Sequence, residues 1–274
     1  MSTRSTVVAG LKTAVKSGAT AIDKVRAPPV GVTILIYHRV GAGSGGEMDL
    51  TPEAFNTQLE WLNEQRDVIS LDDAVGLLTG DRDQAITGRE VVLTFDDGTG
   101  DWVDSALPAL DRHSTPATFY VATSFIGQAP TDGPALSWGA LAELASSELV
   151  TIGSHTHGHM LLDRLDTTRT AQELDRSVEL LGEHTGSTPK HFAYPKAVLG
   201  SPDAEAAVRS RFRSAVIAGT RPNPPGTNPH RLHRSPIQAS DGQRWFHRKA
   251  QGGMRAEDDL RRAANRLRYR GLDS

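Results

Sequence analysis

Two short clusters carry residue types that could do chemistry. Residues 91–97 read VVLTFDD, an apolar run closed by Asp96 and Asp97 and followed by Gly98. Adjacent carboxylates repel, and one is driven toward its neutral form unless a cation offsets the repulsion. Residues 154–159 read SHTHGH, with His155 and His159 four apart and His157 between them. In a tight loop or a helical turn that spacing brings two imidazoles to one side. Two histidines and one carboxylate are a common zinc set, with positions left for water and substrate. One acid of the pair would then ligate the ion and leave the other as a base. Gly98 permits the sharp turn both acids need to face one place, and His157 is expected to point away. The bland alternative is a solvated histidine loop and a plain turn, and it must account for both clusters at once.

Composition narrows the ligand set. The chain has 274 residues, a formal net charge of −3 and no cysteine. Thiolate sites, disulfides and cysteine nucleophiles are therefore excluded, which leaves His, Asp and Glu as ligands. The charge balance gives no reason to expect a nucleic-acid partner. No apolar run is long enough to span a bilayer. The N-terminal segment is not a convincing signal peptide, because Lys12 and Lys16 interrupt its apolar stretch. Val7, Val8, Leu11, Ala14 and Val15 fall at helical spacing. Residues 1–30 thus read as a basic helix and linker, either a loosely docked leader or a peripheral contact for a membrane surface. The expected location is cytoplasmic or membrane-peripheral.

These clusters need elements to hold them. β-rich runs at Val32–Tyr37, Val91–Phe95, Ala117–Ala122, Leu149–Gly153, His191–Tyr194, Phe212–Ala218 and Leu232–Ile237 alternate with helical patterns. The helices expected between them are Pro52–Gln65, Leu71–Leu78, Asp104–His113, Trp138–Ser147, Thr167–His184 and Pro202–Ser210. Alternation of this kind predicts parallel strands with helical crossovers. About seven β/α units fit an α/β barrel, closed or nearly so, with an open doubly wound sheet as the competitor. In a barrel the C-terminal strand ends converge on one mouth. Here those ends carry His38, Asp96-Asp97, the histidine cluster, Pro195-Lys196, and His233-Arg234 near the last strand. The predicted barrel covers residues 31–245. Residues 246–274 are expected to form a helical extension, with Leu260, Ala263, Ala264 and Leu267 inward and its arginines on a solvated face.

The motifs TFDDG at 94–98, SHTHGH at 154–159 and FAYP at 192–195 resemble those of the polysaccharide deacetylases, carbohydrate esterase family 4, in the FAYP-bearing subgroup. The resemblance covers roughly residues 31–240. It implies a distorted (β/α)7 barrel of the NodB-homology type in a single domain. It also implies hydrolysis of N-acetyl groups on a GlcNAc-type polysaccharide or glycoconjugate, with zinc or a similar divalent ion. By the same resemblance Asp96 matches the general base that acts on the ion's water, and Asp97, His155 and His159 match the metal ligands. Tyr194, Pro195 and Lys196 fall in the segment that stabilises the oxyanion and meets substrate.

The match has departures. Ala193 stands where many members have an arginine that orients the base, Lys196 where an aromatic is usual, and Ala197 where a glycine is usual. The Leu-x-His motif of the general acid reads Leu232-His233-Arg234. His233 is the nominal acid, Arg234 an alternative partner for a carboxylate, and Asp241 a candidate supporting residue. A hydrolase of another non-peptide amide and a catalytically impaired carbohydrate-binding relative stay open as alternatives.

Overall fold

The computed structural model describes residues 16–20, 27–128 and 133–260. Seven parallel strands close into a ring. Strand β1 (Thr33–Tyr37) pairs with both β5 (Glu90–Asp97) and β10 (Leu232–Pro236). From β5 the ring continues through β6 (Ala117–Val121), β7 (Val150–Ser154), β8 (His191–Ala193) and β9 (Ser214–Ala218) back to β10. Double pairing by β1 rules out the open sheet. A two-residue strand β4 (Asp67–Val68) flanks β5, and β2 (Arg39–Val40) pairs with β3 (Asp49–Leu50) separately. Three of the ring's ladders have five register pairs each, β1–β5, β5–β6 and β6–β7, and three more have three pairs each. The β7–β8 ladder has one pair, Ser154 with Phe192, and this is where the barrel is distorted.

The crossover helices start where short polar residues can cap them. Thr51 caps α1 (Pro52–Gln65) and Ser70 caps α2 (Leu71–Thr79) by accepting from backbone N–H groups. Helix α3 (Leu107–His113) follows a π-helical turn over Trp102–Ala106, so the helix expected from Asp104 is irregular in its first turn. Ser137 caps α4 (Trp138–Ala145), Asp166 caps α5 (Thr167–Thr185) and Ser201 caps α6 (Pro202–Arg209).

Alternation along the strands divides inside from outside. Ile34, Val92, Tyr120, Ala193, Val216 and Leu232 share one buried cluster with Leu71, Ala74, Val75 and Leu78 of α2. Helix α2 therefore closes the N-terminal end of the barrel, where Asp72 meets His191 and Arg213. Outward residues such as Leu93, Phe95, Phe119 and Val121 pack beneath α1, α3 and α4. Gly153 faces the interior, and a Cβ there would lie 2.5 Å from the Tyr120 ring.

A further helix, α7 (Gly242–Ala250), crosses the boundary expected at 245/246 and buries Phe246 and Ala250 in the outer core. Residues 246–250 thus pack as part of the barrel. Residues 255–260 are helical, but Leu260 is exposed rather than inward. Ala263, Ala264, Leu267 and the arginines beyond lie outside the described residues. So does the apolar face from Val7 to Val15. Residues 16–20 are helical, and Lys16 is buried, with Nζ 2.7 Å from Asp241 Oδ1. Among the described residues no helix is long and apolar enough to cross a membrane.

Candidate active site

The mouth of the barrel brings the two clusters together. Strand β5 carries Asp96 on its inner face, and the backbone then turns through Asp97 (φ 89°) and Gly98 (φ 114°). The turn anticipated at the glycine thus begins one residue earlier, at a non-glycine residue in the left-handed region. Such strain persists only where the surroundings over-determine it. The loop after β7 repeats the pattern, with Thr156 and His159 at φ 65° and 54°.

Asp97, His155 and His159 each offer a ligand atom, and the three atoms lie within 4.8 Å of one another. Asp97 Oδ1 stands 3.7 Å from His155 Nε2 and 3.6 Å from His159 Nε2. His155 is buried, and its Nδ1 is 2.7 Å from the Ala193 carbonyl. That carbonyl can only accept, so Nδ1 carries the proton and the lone pair of Nε2 faces the other two ligands. Burial, then the neighbouring His155, hold the His159 pKa down to about 4, so its imidazole is neutral at pH 7. Two imidazoles and a carboxylate with converging donor atoms, one imidazole anchored through its Nδ1, fit a divalent ion. His157 is turned aside, its Nδ1 2.9 Å from Thr123 Oγ1.

Asp96 is held separately. Arg234 Nη1 and Nη2 donate to its two carboxylate oxygens at 2.6 and 2.7 Å, and Nη1 also donates to Thr94 Oγ1 at 2.9 Å. The guanidinium is fully buried and lies over the Tyr120 ring, 5.2 Å from its centre. Burial pushes the Asp96 carboxyl up, but the charge of Arg234, with smaller contributions from His155 and His38, outweighs it and holds the pKa at about 2. Asp96 is thus ionised and fixed in orientation. The arginine missing at Ala193 has its counterpart on β10.

Three expected site residues fall elsewhere. His233 precedes Arg234 on β10, so its side chain takes the opposite, outer face. Its N–H donates to Asn223 Oδ1, and its Nδ1 is 3.4 Å from the Ala218 carbonyl. It does not face Asp96. Tyr194 points outward into the cluster beneath α5 and α6, with its ring 5.0 Å from that of Phe192, and its own N–H is taken by the Val216 carbonyl. Asp241 accepts from Lys16 and Lys249, and so joins the helical residues 16–20 and α7 to the barrel wall. Pro195 is buried in a short 3-10 turn, and Lys196 and Ala197 both have positive φ, at 53° and 54°. Lys196 is exposed and close enough to His159 for its charge to lower that imidazole's pKa.

His38, by contrast, lies near Asp96. It follows β1 directly, its charge acts on Asp96, and its buried Nδ1 has no hydrogen-bond partner among the described residues. The sequence placed it among the polar strand ends of the mouth, but nothing in the sequence alone set it apart from the other strand-end residues.

The family model for polysaccharide deacetylase matches residues 83–210. YxkH of Bacillus subtilis (strain 168), whose name places it among the polysaccharide deacetylases, is 24% identical over 189 residues. That stretch is 69% of this chain and 64% of YxkH, so the match spans just under two thirds of that relative. Among solved structures, IcaB from Ammonifex degensii superposes with a TM-score of 0.72 at 24% identity, covering 82% of this chain and 98% of IcaB. The Streptococcus pyogenes deacetylase PplD, determined in complex with acetate, gives 0.69 at 20% identity, covering 81% of this chain and 99% of PplD. These likenesses extend to the barrel as a whole, and the family-model match spans the Asp96-Asp97 turn and the histidine loop. Residues 83–210 are thus similar to the polysaccharide deacetylase family, and the barrel has the fold of the solved deacetylases.

Proposed function

We propose that the protein is a metal-dependent hydrolase that removes N-acetyl groups from an amino-sugar polysaccharide or glycoconjugate of the GlcNAc type. The observation that carries this reading is the Asp97–His155–His159 trio beside a carboxylate, Asp96, that a separate arginine keeps ionised.

Asp97, His155 and His159 would hold the ion, and zinc suits this donor set best. When bound, it supplies Lewis acidity that polarises the amide carbonyl and acidifies water. Asp96 accepts a proton from the attacking water. Arg234 engages both of its oxygens, but each keeps a second lone-pair direction with which to accept. In the segment after β8, Tyr194 N–H is engaged, Pro195 has none, and Ala197 N–H returns to the Tyr194 carbonyl. The Lys196 N–H is therefore the donor assigned to the oxyanion. His38, not His233, is the assigned proton donor to the leaving amine. Water adds to the acetyl carbon, the C–N bond breaks, and the nitrogen takes a proton from His38 to give acetate and a free amino sugar.

The test is acetate release from N-acetylglucosamine oligomers, with and without chelator, beside metal content. Asp97→Asn is expected to lose ion and activity together. Asp96→Asn is expected to keep the ion and lose turnover by about 10²–10⁴-fold, the usual range for a general base. Metal binding without acetate release would point to another amide as substrate. Full activity in both variants would sink the mechanism.

A further inference from the structure

Resting on the metal site proposed above, we propose that helix α5 sets its affinity, through Glu173 and Ser177, by clamping the histidine loop at two points. The loop is costly to hold. Thr156 and His159 both occupy the left-handed region, where an L-residue with a side chain is disfavoured. Nothing within residues 154–159 compensates for this beyond one bond, from Thr156 N–H to Ser154 Oγ at 3.3 Å. The restraint comes from outside the loop, from the ends of β6 and β8 and from α5.

Glu173 and Ser177 are one helical turn apart and so share a face of α5. Ser177 Oγ lies 2.8 Å from Ser154 Oγ, and both serines are fully buried. That bond fixes the residue just before the first ligand. Glu173 Oε2 accepts from Gly158 N–H at 2.6 Å, which fixes the residue just before the second. The backbone carbonyl of Glu173 also accepts from His157 N–H at 3.2 Å. A charged acceptor makes the Gly158 bond a strong one. The fit is close, since a Cβ at Gly158 would come within 3.0 Å of Glu173 Oε1. The opposite side of the loop is tied to the residues after β6, where Ser124 N–H donates to the His157 carbonyl at 2.9 Å. The loop is thus gripped between a helix and a neighbouring strand end, and each α5 contact falls next to a ligand.

Neither residue reaches the space between the ligands, so each is a positioning residue. Partners of metal ligands typically account for about 10–100-fold in metal affinity. Glu173→Ala is expected to weaken zinc binding by about that factor. Glu173→Gln keeps a neutral oxygen acceptor and should recover part of the loss. The measurement is competition with a calibrated zinc chelator, beside the thermal midpoint of the metal-free protein. A clamp specific to the loop predicts a large change in zinc affinity with little change in the metal-free midpoint. Ser177→Ala, which removes the other grip, should weaken zinc independently and serves as the second variant if Glu173→Ala folds poorly. Wild-type zinc affinity in both Glu173→Ala and Ser177→Ala would overturn the clamp while leaving the metal site intact. Failure of the unaltered protein to bind zinc, with His155→Ala indistinguishable from it, would overturn the site and the clamp together.

Discussion

Arg234 and Asp96 meet inside the barrel in a two-pronged ion pair, Nη1 to Oδ1 at 2.6 Å and Nη2 to Oδ2 at 2.7 Å. The planar fork of a guanidinium matches a carboxylate in a way that an ammonium cannot. Arg234→Lys is therefore expected to keep the charge and lose the alignment. Turnover should fall by about 10–100-fold, the size typical of residues that orient a functional group. Zinc content should stay at the wild-type level, because neither residue is a ligand. Steady-state acetate release and elemental analysis on the same sample decide it, and loss of metal would mean that Arg234 supports the ligands instead.

Lys16 predicts that the N-terminal helical residues matter for stability, against the reading of a loosely docked leader. Asp241 accepts from both Lys16 and Lys249 in a buried setting, and Lys16 also lies over the Trp245 ring. Lys16→Met leaves Asp241 paired with Lys249, so the loss is that of one charged hydrogen bond, about 1.5–3 kcal/mol. A thermal midpoint several degrees lower is expected, with zinc affinity unchanged. An unaltered midpoint would show that the contact contributes nothing.

Acid should act at the closed end of the barrel. The His191 ring, its Nε2 3.4 Å from Asp72 Oδ1, and then the nearby Arg213 hold the Asp72 carboxyl below the usual carboxylate range, against the opposing effect of burial. A depressed carboxyl adds stability that is present above its unfolded pKa of about 3.9 and is lost as pH falls toward the folded value. The protein should therefore lose stability below about pH 4. In Asp72→Asn the denaturant midpoint should be lower at neutral pH and fall less steeply in acid. Parallel pH profiles for the two proteins would exclude Asp72 as a contributor.

Gly153 should resist even a methyl group. Its Cβ would meet Tyr120 Cδ1 at 2.5 Å, and Tyr120 lies beneath the Arg234 guanidinium. Gly153→Ala is expected to cost about 1–3 kcal/mol through overpacking. It should also lower turnover by displacing Tyr120 and with it Arg234. Urea unfolding and acetate release together check this, and wild-type values in both would mean the ring moves aside freely.

The strands were legible because each is a short apolar run stopped by polar residues, and the mouth was legible because those stops are chemically unusual. What escaped reading has particular causes. Helix α7 begins at a glycine and is dominated by polar and charged residues, with only Phe246, Lys249 and Ala250 buried. His233 and Arg234 were both candidates, yet adjacent strand residues cannot share a face, and only the barrel closure shows which one looks inward. The same alternation separates Ala193 from Tyr194. The pairing of Asp241 with Lys16 joins residues 225 positions apart, and nothing local announces it. The charged partner of Asp96 arrives from β10 instead of β8, a substitution across the ring that linear motifs do not record.

The thin ladder between β7 and β8 has a thermodynamic consequence. The Nδ1–H of His155, just after β7, is anchored to the carbonyl of Ala193 on β8, so the bond that orients a ligand also spans the joint with a single register pair. Parting these strands would release the imidazole, and misorienting the imidazole would loosen the joint. Under the proposed site, ion uptake and ring closure would be linked equilibria: whatever free energy the ion gained from an oriented His155 would also hold the two strands together. Metal removal should be felt first as local opening along this line, in amide exchange at Ser154, Phe192 and Ala193, while β1, β5 and β10 around Asp96 stay protected.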